Sequence, residues 1–181
     1  MWCKSLTSVV LPQSLTSLGT YFLGYCDSIT EYTVPKWIKA IGSSCFYAMA
    51  GLKRLIFEDG YSGKYSSSFL FCNTAFNCPN LEYIYLPASI DMDDSLSTSS
   101  SYHIGGNCPK LEVVELGQGY SYSLNLSFCT KLTHDCLVSM LNALADLTGG
   151  TAKKLTLGST NLAKLTDEEK AIATSKNWTL S

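Results

Sequence analysis

The chain is short of basic charge, and arginine is almost absent from it. Among 181 residues there are 13 lysines and arginines, and only one of them, Arg54, is an arginine. The formal net charge is −2, and the lysines form no cluster or stripe. Because nucleic-acid binding depends on neutralising phosphates with Lys and Arg, we expect no nucleic-acid partner.

Long hydrophobic runs are also missing. No apolar run reaches the roughly 18 residues of a membrane-spanning helix, so we expect no membrane insertion. The start lacks the charged and then apolar regions of a signal peptide. We therefore expect that a signal has been removed, that the chain is a fragment, or that export uses another route. Since 46% of the residues are hydrophobic, there is still enough apolar material for one sizeable core.

Recognised catalytic and metal-binding spacings do not occur. No Cys-x-x-Cys pair indicates a zinc site, and neither His103 nor His134 has a nucleophile at a known spacing. Residues 91–95 (Asp-Met-Asp-Asp-Ser) resemble the start of a calcium loop. However, Leu96 stands where that loop needs glycine, and Tyr102 where it needs glutamate. We predict a protein that is not an enzyme and binds no metal or other cofactor.

What the sequence does contain is an internal repeat. The segment Cys3-Lys-Ser-Leu-Thr-Ser-Val-Val-Leu-Pro is followed by a similar one at position 26, 23 residues later. Further copies begin at Met49, Cys78, Cys108 and Cys129. Each copy reads apolar-x-x-apolar-x-apolar, which is typical of a short strand whose alternate side chains enter a core. The gaps after the third and fourth copies are longer and contain the Ser-rich stretches 61–68 and 91–102.

One copy buries too little apolar surface to fold alone, so neighbouring copies must stack on one another. The fold class predicted is an α/β repeat solenoid. It would be a right-handed leucine-rich-repeat array of about five coils with a short α/β C-terminal cap.

The repeat resembles a known bacterial family. Its pattern is Cys-x-x-Leu-x-x-Val-x-Leu-Pro, then Leu-Gly or Ile-Gly, then an Ala-Phe-like pair, and it resembles the BspA-type leucine-rich repeat. Second-half signatures are Ser43-Ser-Cys-Phe-Tyr-Ala-Met49 and Thr74-Ala-Phe-Asn-Cys78. The resemblance covers residues 1–130, which we assign to the repeats. It implies a cell-surface or secreted adhesion protein that binds a protein or carbohydrate ligand, and it implies no catalytic residues.

The repeat pattern changes at residue 131, and residues 131–181 are called the C-terminal segment below. Apolar residues at 137, 140, 141, 144 and 147 predict a helix with Thr133 as N-cap and a stop at Gly149-Gly150. A strand is predicted over 152–158, a second helix opens with a capping box at 166–169, and a short strand ends the segment. We expect this helix-strand-helix-strand unit to cover the last repeat, whose open edge would otherwise pair with another chain.

The end of the C-terminal segment carries a resemblance of its own. Residues 161–180 resemble a C-terminal piece of gut-bacterial and phage-related repeat proteins. As an alternative function, this implies a structural or receptor-binding terminal piece of a phage or prophage tail, or of a longer surface protein. The location would then be virion-associated.

The cysteines follow the repeat. We expect one buried column of structural thiols, with Cys45 also in the core and Cys72 and Cys136 unassigned. The column contains Cys3, Cys26, Cys78, Cys108 and Cys129. Neighbours in the column could reach disulfide distance, so oxidation stays open.

The outward positions of the strands form the candidate binding face. With the first, fourth and sixth positions inward, the candidates are Glu31, Lys53, Arg54, Glu82, Tyr83, Tyr85, Glu112 and Glu115. Further tyrosines are expected in or beside nearby loops: Tyr61, Tyr65, Tyr102, Tyr120 and Tyr122. Exposed Tyr is favoured at recognition surfaces, yet strand surfaces also favour Tyr for its propensity alone. Both readings stay open, as does the choice between a protein and a glycan ligand.

Overall fold

The strands of the chain run parallel in three small sheets. A computed structural model describes residues 3–42, 44–63, 77–91 and 108–181. Its strands are β1 (Ser17–Leu18), β2 (Glu31–Val34), β3 (Ala40–Ile41), β4 (Arg54–Phe57), β5 (Tyr83–Leu86), β6 (Val113–Leu116), β7 (Leu124–Asn125), β8 (Lys153–Thr156) and β9 (Trp178–Leu180). Its helices are α1 (His134–Ala143), α2 (Gly158–Leu162) and α3 (Asp167–Ser175).

The largest sheet joins the strands of successive repeats, in the order β2-β4-β5-β6. Arg54 lies beside Glu31 on one side and beside Tyr83 on the other. Alternate residues of every strand point into the core, because side chains alternate along a strand. The inward side chains are all buried and form two columns: Tyr32, Leu55, Ile84 and Val114, and then Val34, Phe57, Leu86 and Leu116.

Every repeat enters this arrangement through the same turn. The backbone N–H of the first apolar strand residue donates to the carbonyl three positions earlier, as Ile29 does to Cys26 at 3.4 Å. The other five pairs are Leu6 and Cys3, Leu52 and Met49, Leu81 and Cys78, Leu111 and Cys108, and Leu132 and Cys129. Met49 is fully buried, so it fills the position that cysteine holds in the other repeats.

The first repeat departs from the prediction. Residues 3–16 contain no strand, and Cys3 is exposed, so the expected buried cysteine column begins at Cys26. The first repeat contacts the second through a 2.6 Å hydrogen bond from the Ser28 hydroxyl to the Lys4 carbonyl. Its apolar side chains Leu6, Val9 and Leu11 are only partly buried.

Where the structure describes them, in the repeats that begin at Cys3, Cys26 and Cys108, the second halves form the other wall of the core. β1 pairs with β3, and farther along the chain β7, β8 and β9 form a three-stranded parallel sheet. A single bridge between Tyr120 and Leu144 links the last repeat to the residue that follows α1. The strands β8 and β9 of the C-terminal segment therefore extend a wall that begins in the repeats.

Helix α1 begins where the sequence predicts and ends earlier. The Thr133 hydroxyl accepts a hydrogen bond from the Cys136 N–H at 3.1 Å, as an N-cap should. The helix ends at Ala143, ahead of the predicted glycine stop, because Leu144 adopts an extended conformation and bridges Tyr120. The Lys176 ammonium satisfies carbonyls at this helix end, including those of Asn142 and Leu144 at 2.8 and 2.9 Å.

Of the remaining two helices, α3 was predicted from the sequence and α2 was not. The capping box of α3 is present: the Thr166 N–H donates to the Glu169 carboxylate at 2.8 Å, and the Glu169 N–H donates to the Thr166 hydroxyl at 3.2 Å. Helix α2, which begins at Gly158, was not predicted. It is one short turn, so it has no apolar periodicity to reveal it.

Helix α1 lies along the edge of β6, where a fifth strand would otherwise pair. The Cys136 thiol makes hydrogen bonds to β6 that the backbone of such a strand would make. It accepts from the Val114 N–H at 3.3 Å, and it lies 3.5 Å from the Val114 carbonyl, to which it donates. The Thr133 N–H also donates to the Glu112 carbonyl at 3.1 Å. Both backbone groups of Val114 are thus satisfied without a neighbouring strand.

Candidate binding face of the four-stranded sheet

The eight candidate residues lie on or directly before the four strands, on the side away from the core. Glu31, Lys53, Arg54, Glu82, Glu112 and Glu115 are exposed, whereas Tyr83 and Tyr85 are half-buried. Their neighbours are set by the strand register, with Tyr83 beside Val113 and Tyr85 beside Glu115. The structure therefore gathers the residues that the repeat pattern placed outward, and it shows which of them touch.

A line of contacts crosses all four strands. The Arg54 Nε lies 3.0 Å from a carboxylate oxygen of Glu31, and its guanidinium lies over the Tyr83 ring, 3.9 Å from the ring centre. The Tyr83 hydroxyl then donates to Glu115 on β6. Desolvation and this hydrogen bond raise the pKa of Tyr83, and the nearby Arg54 partly opposes the rise. Each side chain in the line is therefore held in place by its neighbour.

A second contact fixes Tyr85 and involves a residue that the sequence did not indicate. The Tyr85 hydroxyl donates to the carboxylate of Asp59, which follows β4. Desolvation, followed by this hydrogen bond, raises the pKa of Tyr85 to about 12. Asp59 lies in a turn between a strand and a glycine, where an acidic residue is ordinary. The sequence therefore carries no signal that would have identified it.

Three charged side chains of the face stay unpaired. Within the described ranges of the chain, Lys53, Glu82 and Glu112 make no side-chain hydrogen bond or ion pair. They are neighbours, since the Glu82 N–H donates to the Lys53 carbonyl at 2.9 Å and the Glu112 N–H to the Glu82 carbonyl at 3.1 Å. With Asp59 included, the face has two basic residues, Lys53 and Arg54, against five acidic ones. The face therefore carries a net negative charge.

Two of the tyrosines expected near the face lie elsewhere, and this part of the prediction was wrong for Tyr61 and Tyr120. Both are fully buried. Each follows a glycine with positive φ, Gly60 at 82° and Gly119 at 83°, which turns the tyrosine inward. They occupy the repeat position that the buried Ile38 and Ile90 occupy in other repeats. That position lies four residues after the last inward strand residue. Tyr122 is partly buried, and Tyr65 and Tyr102 lie outside the described residues.

The cysteines of the described chain are free thiols, and all except Cys3 are buried. Burial raises the pKa of Cys45 to about 12 and that of Cys108 to about 11. Such thiols are protonated at neutral pH and make poor nucleophiles. They serve packing, which confirms the expectation for Cys45, while Cys72 lies outside the described residues.

A shallow groove lies between β6 and α1, lined by residues that include Glu115, Thr133, Asp135 and Ser139. Near it, His134 contacts Glu169 at 2.9 Å and Asp135 at 3.4 Å. No group of three His, Cys, Asp or Glu side chains among the described residues is arranged to hold a metal ion. His103 and almost all of the calcium-loop-like stretch lie outside those residues.

None of the helices in the described parts of the chain has the length and hydrophobicity needed to cross a bilayer.

Comparison with known proteins identifies the repeat. The family described as "BspA type Leucine rich repeat region (6 copies)" matches residues 1–104. Comparisons with curated proteins and with solved structures give no match. The matched span contains β1 to β5, four of the six entry turns and the register of β2, β4 and β5. The chain belongs to the BspA-type leucine-rich repeat family.

Proposed function

We propose that this chain is a non-catalytic binding module at a bacterial surface, and that the outward face of the four-stranded sheet contacts a protein ligand. Leucine-rich repeat domains generally mediate protein binding, and BspA-type repeat proteins are typically surface-associated. The observation that carries the proposal is the line from Glu31 through Arg54 and Tyr83 to Glu115. Such a fixed line reduces the entropy cost of binding.

The scaffold for this face would be a right-handed solenoid of about five coils over residues 1–130. Support comes from the matched strand register and from the six identical entry turns. Residues 131–181 would be its cap, since α1 lies on the edge of β6 and the Cys136 thiol satisfies the backbone of Val114. A closed edge keeps the sheet from pairing with other chains, which leaves the outward face for the ligand.

The charges of the face favour a ligand with a basic surface. The unpaired carboxylates of Glu82 and Glu112 are neighbours and repel each other, so a lysine or arginine from a partner would relieve that repulsion. Tyr83 and Arg54 are residue types that often dominate binding energy. A neutral glycan would bring no positive charge to relieve this repulsion, so we take a protein as the ligand of this face.

The proposal can be tested by surface plasmon resonance against immobilised laminin, collagen and vitronectin. For any protein that binds, Tyr83→Ala should raise the dissociation constant by about tenfold, as a central aromatic contact worth over 1 kcal/mol would. The double variant Glu82→Gln/Glu112→Gln should slow association and weaken the dependence of the association rate on salt.

A matched control removes two carboxylates elsewhere. Asp167→Asn/Glu168→Gln changes the net charge equally, on the exposed start of α3. If this control weakened binding as much as the face variants, or if Tyr83→Ala bound normally, the outward face would not be the binding site. Circular dichroism of each variant shows that it is folded.

A further inference from the structure

A second surface, outside the four-stranded sheet, carries a cluster of exposed aromatic side chains. They lie on two stacked turns of the first and second repeats. Tyr21 is 52% exposed and Phe22 38% exposed, and Tyr25 and Tyr47 are half-buried beside them. These four residues are called the aromatic cluster below. Large aromatic side chains with this exposure are rare in the described chain, where most lie in the core.

The three tyrosine rings of the aromatic cluster pack against one another. Tyr47 packs edge-to-face against Tyr21, with ring centres 5.8 Å apart, and against Tyr25 at 5.4 Å. The turns that carry them are joined by the backbone, because the Tyr25 N–H donates to the Tyr47 carbonyl at 2.9 Å. Desolvation and the neighbouring phenols of Tyr47 and Tyr21 raise the pKa of Tyr25.

The backbone does not require tyrosine at these positions. Tyr21 and Tyr25 have positive φ values of 56° and 61°, a conformation that suits glycine and that bulky side chains avoid. In the next repeat the equivalent residues are Ser44 and Ala48, with φ of 55° and 52°. The turn thus forms with small residues, and large rings are held there against the backbone preference. Conformational strain of this kind concentrates at functional sites.

The two stretches that carry the cluster are uncharged. Residues 16–25 and 40–51 contain no Asp, Glu, Lys, Arg or His, although 15% of the whole chain is charged. The same stretches are rich in Gly, Ser and Thr. Stretches without cations offer nothing to a phosphate or an anionic membrane. Stretches without either charge also lack the complementarity that steers a charged protein.

We propose that the aromatic cluster is a binding site for a neutral glycan. The C–H faces of a pyranose are apolar and would stack on the rings of Tyr21 and Phe22, while its hydroxyls would exchange hydrogen bonds with the tyrosine hydroxyls. This site is separate from the acidic sheet face, so the protein would hold two ligands of different chemistry. Tyrosine rings that already pack against one another lose little freedom on binding.

The test uses the whole chain and four named probes: maltohexaose, cellohexaose, xylohexaose and mannohexaose. Saturation-transfer NMR and isothermal titration measure binding of each one. We expect at least one to bind, and Tyr21→Gly to weaken that binding by about fivefold or more, the value of an aromatic contact. Because glycine suits the φ of 56°, this variant should fold at least as well as the parent protein. Tyr47→Ala should weaken binding to a similar degree.

The matched control is Ser44→Gly, which relaxes the backbone position equivalent to Tyr21 in the next repeat without removing a ring. It should bind the glycan normally, as should Glu82→Gln/Glu112→Gln on the sheet face. Failure of all four oligosaccharides to bind would overturn the proposal, and so would equal affinity in Tyr21→Gly. Either failure leaves the sheet-face proposal standing, because that proposal is measured with different variants and probes.

Discussion

Replacing Asn161 with alanine should destabilise the protein by more than any other single polar truncation in the C-terminal segment. Asn161 is fully buried. Its amide nitrogen donates to the carbonyls of Cys129 and Leu157, both at 3.0 Å, and its amide oxygen accepts from Lys164 at 2.9 Å. It therefore ties the last repeat to the residues around α2.

The magnitude follows from what the truncation leaves behind. The truncation removes two hydrogen bonds to buried carbonyls, each worth about 0.5–1.5 kcal/mol, and the small void left by the amide adds about 1 kcal/mol. The Cys129 carbonyl keeps the Leu132 N–H as a donor at 3.3 Å. Lys164 keeps its contacts with the carbonyls of Thr130 and Leu132, at 3.0 and 2.7 Å, so its loss is smaller. We expect a total of about 2–4 kcal/mol, and a fall in melting temperature of about 5–15 °C for a chain of this size.

Urea unfolding followed by circular dichroism measures this change, with Asn142→Ala as the matched control. Asn142 is exposed, and its amide makes one hydrogen bond, to the Val138 carbonyl at 2.9 Å. Water can replace that bond, so the control should change stability by less than about 0.5 kcal/mol. Equal effects of the two variants would refute the reasoning, since burial would then make no difference.

Two further predictions concern the sheet and its edge. The pKa of Tyr85 is raised to about 12, so the stability that its neutral phenol contributes is complete below the unfolded pKa of about 10 and is lost as pH rises towards 12. Tyr85→Phe should reduce this alkaline loss in unfolding titrations, and an unchanged pH profile would contradict the assignment. Cys136→Ala should leave the backbone of Val114 without a partner and increase aggregation, measured by size-exclusion chromatography. Cys136→Ser keeps a donor and an acceptor, so it should not aggregate more than the parent protein. Equal aggregation of both variants would show that the thiol contact is unimportant.

Much of the repeat architecture could be predicted from the sequence, because periodicity reports which side chains share an environment. The inward columns that contain Leu55 and Ile84 follow from alternation within each strand and from the spacing between copies. The burial of Tyr61 and Tyr120 could also have been predicted, had the repeat phase been followed four residues beyond the strand. The error came from treating tyrosine as a surface residue when its position in the repeat already indicated the core.

The sequence by itself determined the repeat, its phase and the outward set of residues that includes Arg54 and Tyr83. Tertiary structure alone decided the roles of Asp59, Cys136 and Asn161, and the assembly of the aromatic cluster from two turns. Each of these depends on a contact between segments 22 to 32 residues apart. Alternation is a local property that every copy repeats, whereas such a contact occurs once and depends on how the chain closes in three dimensions.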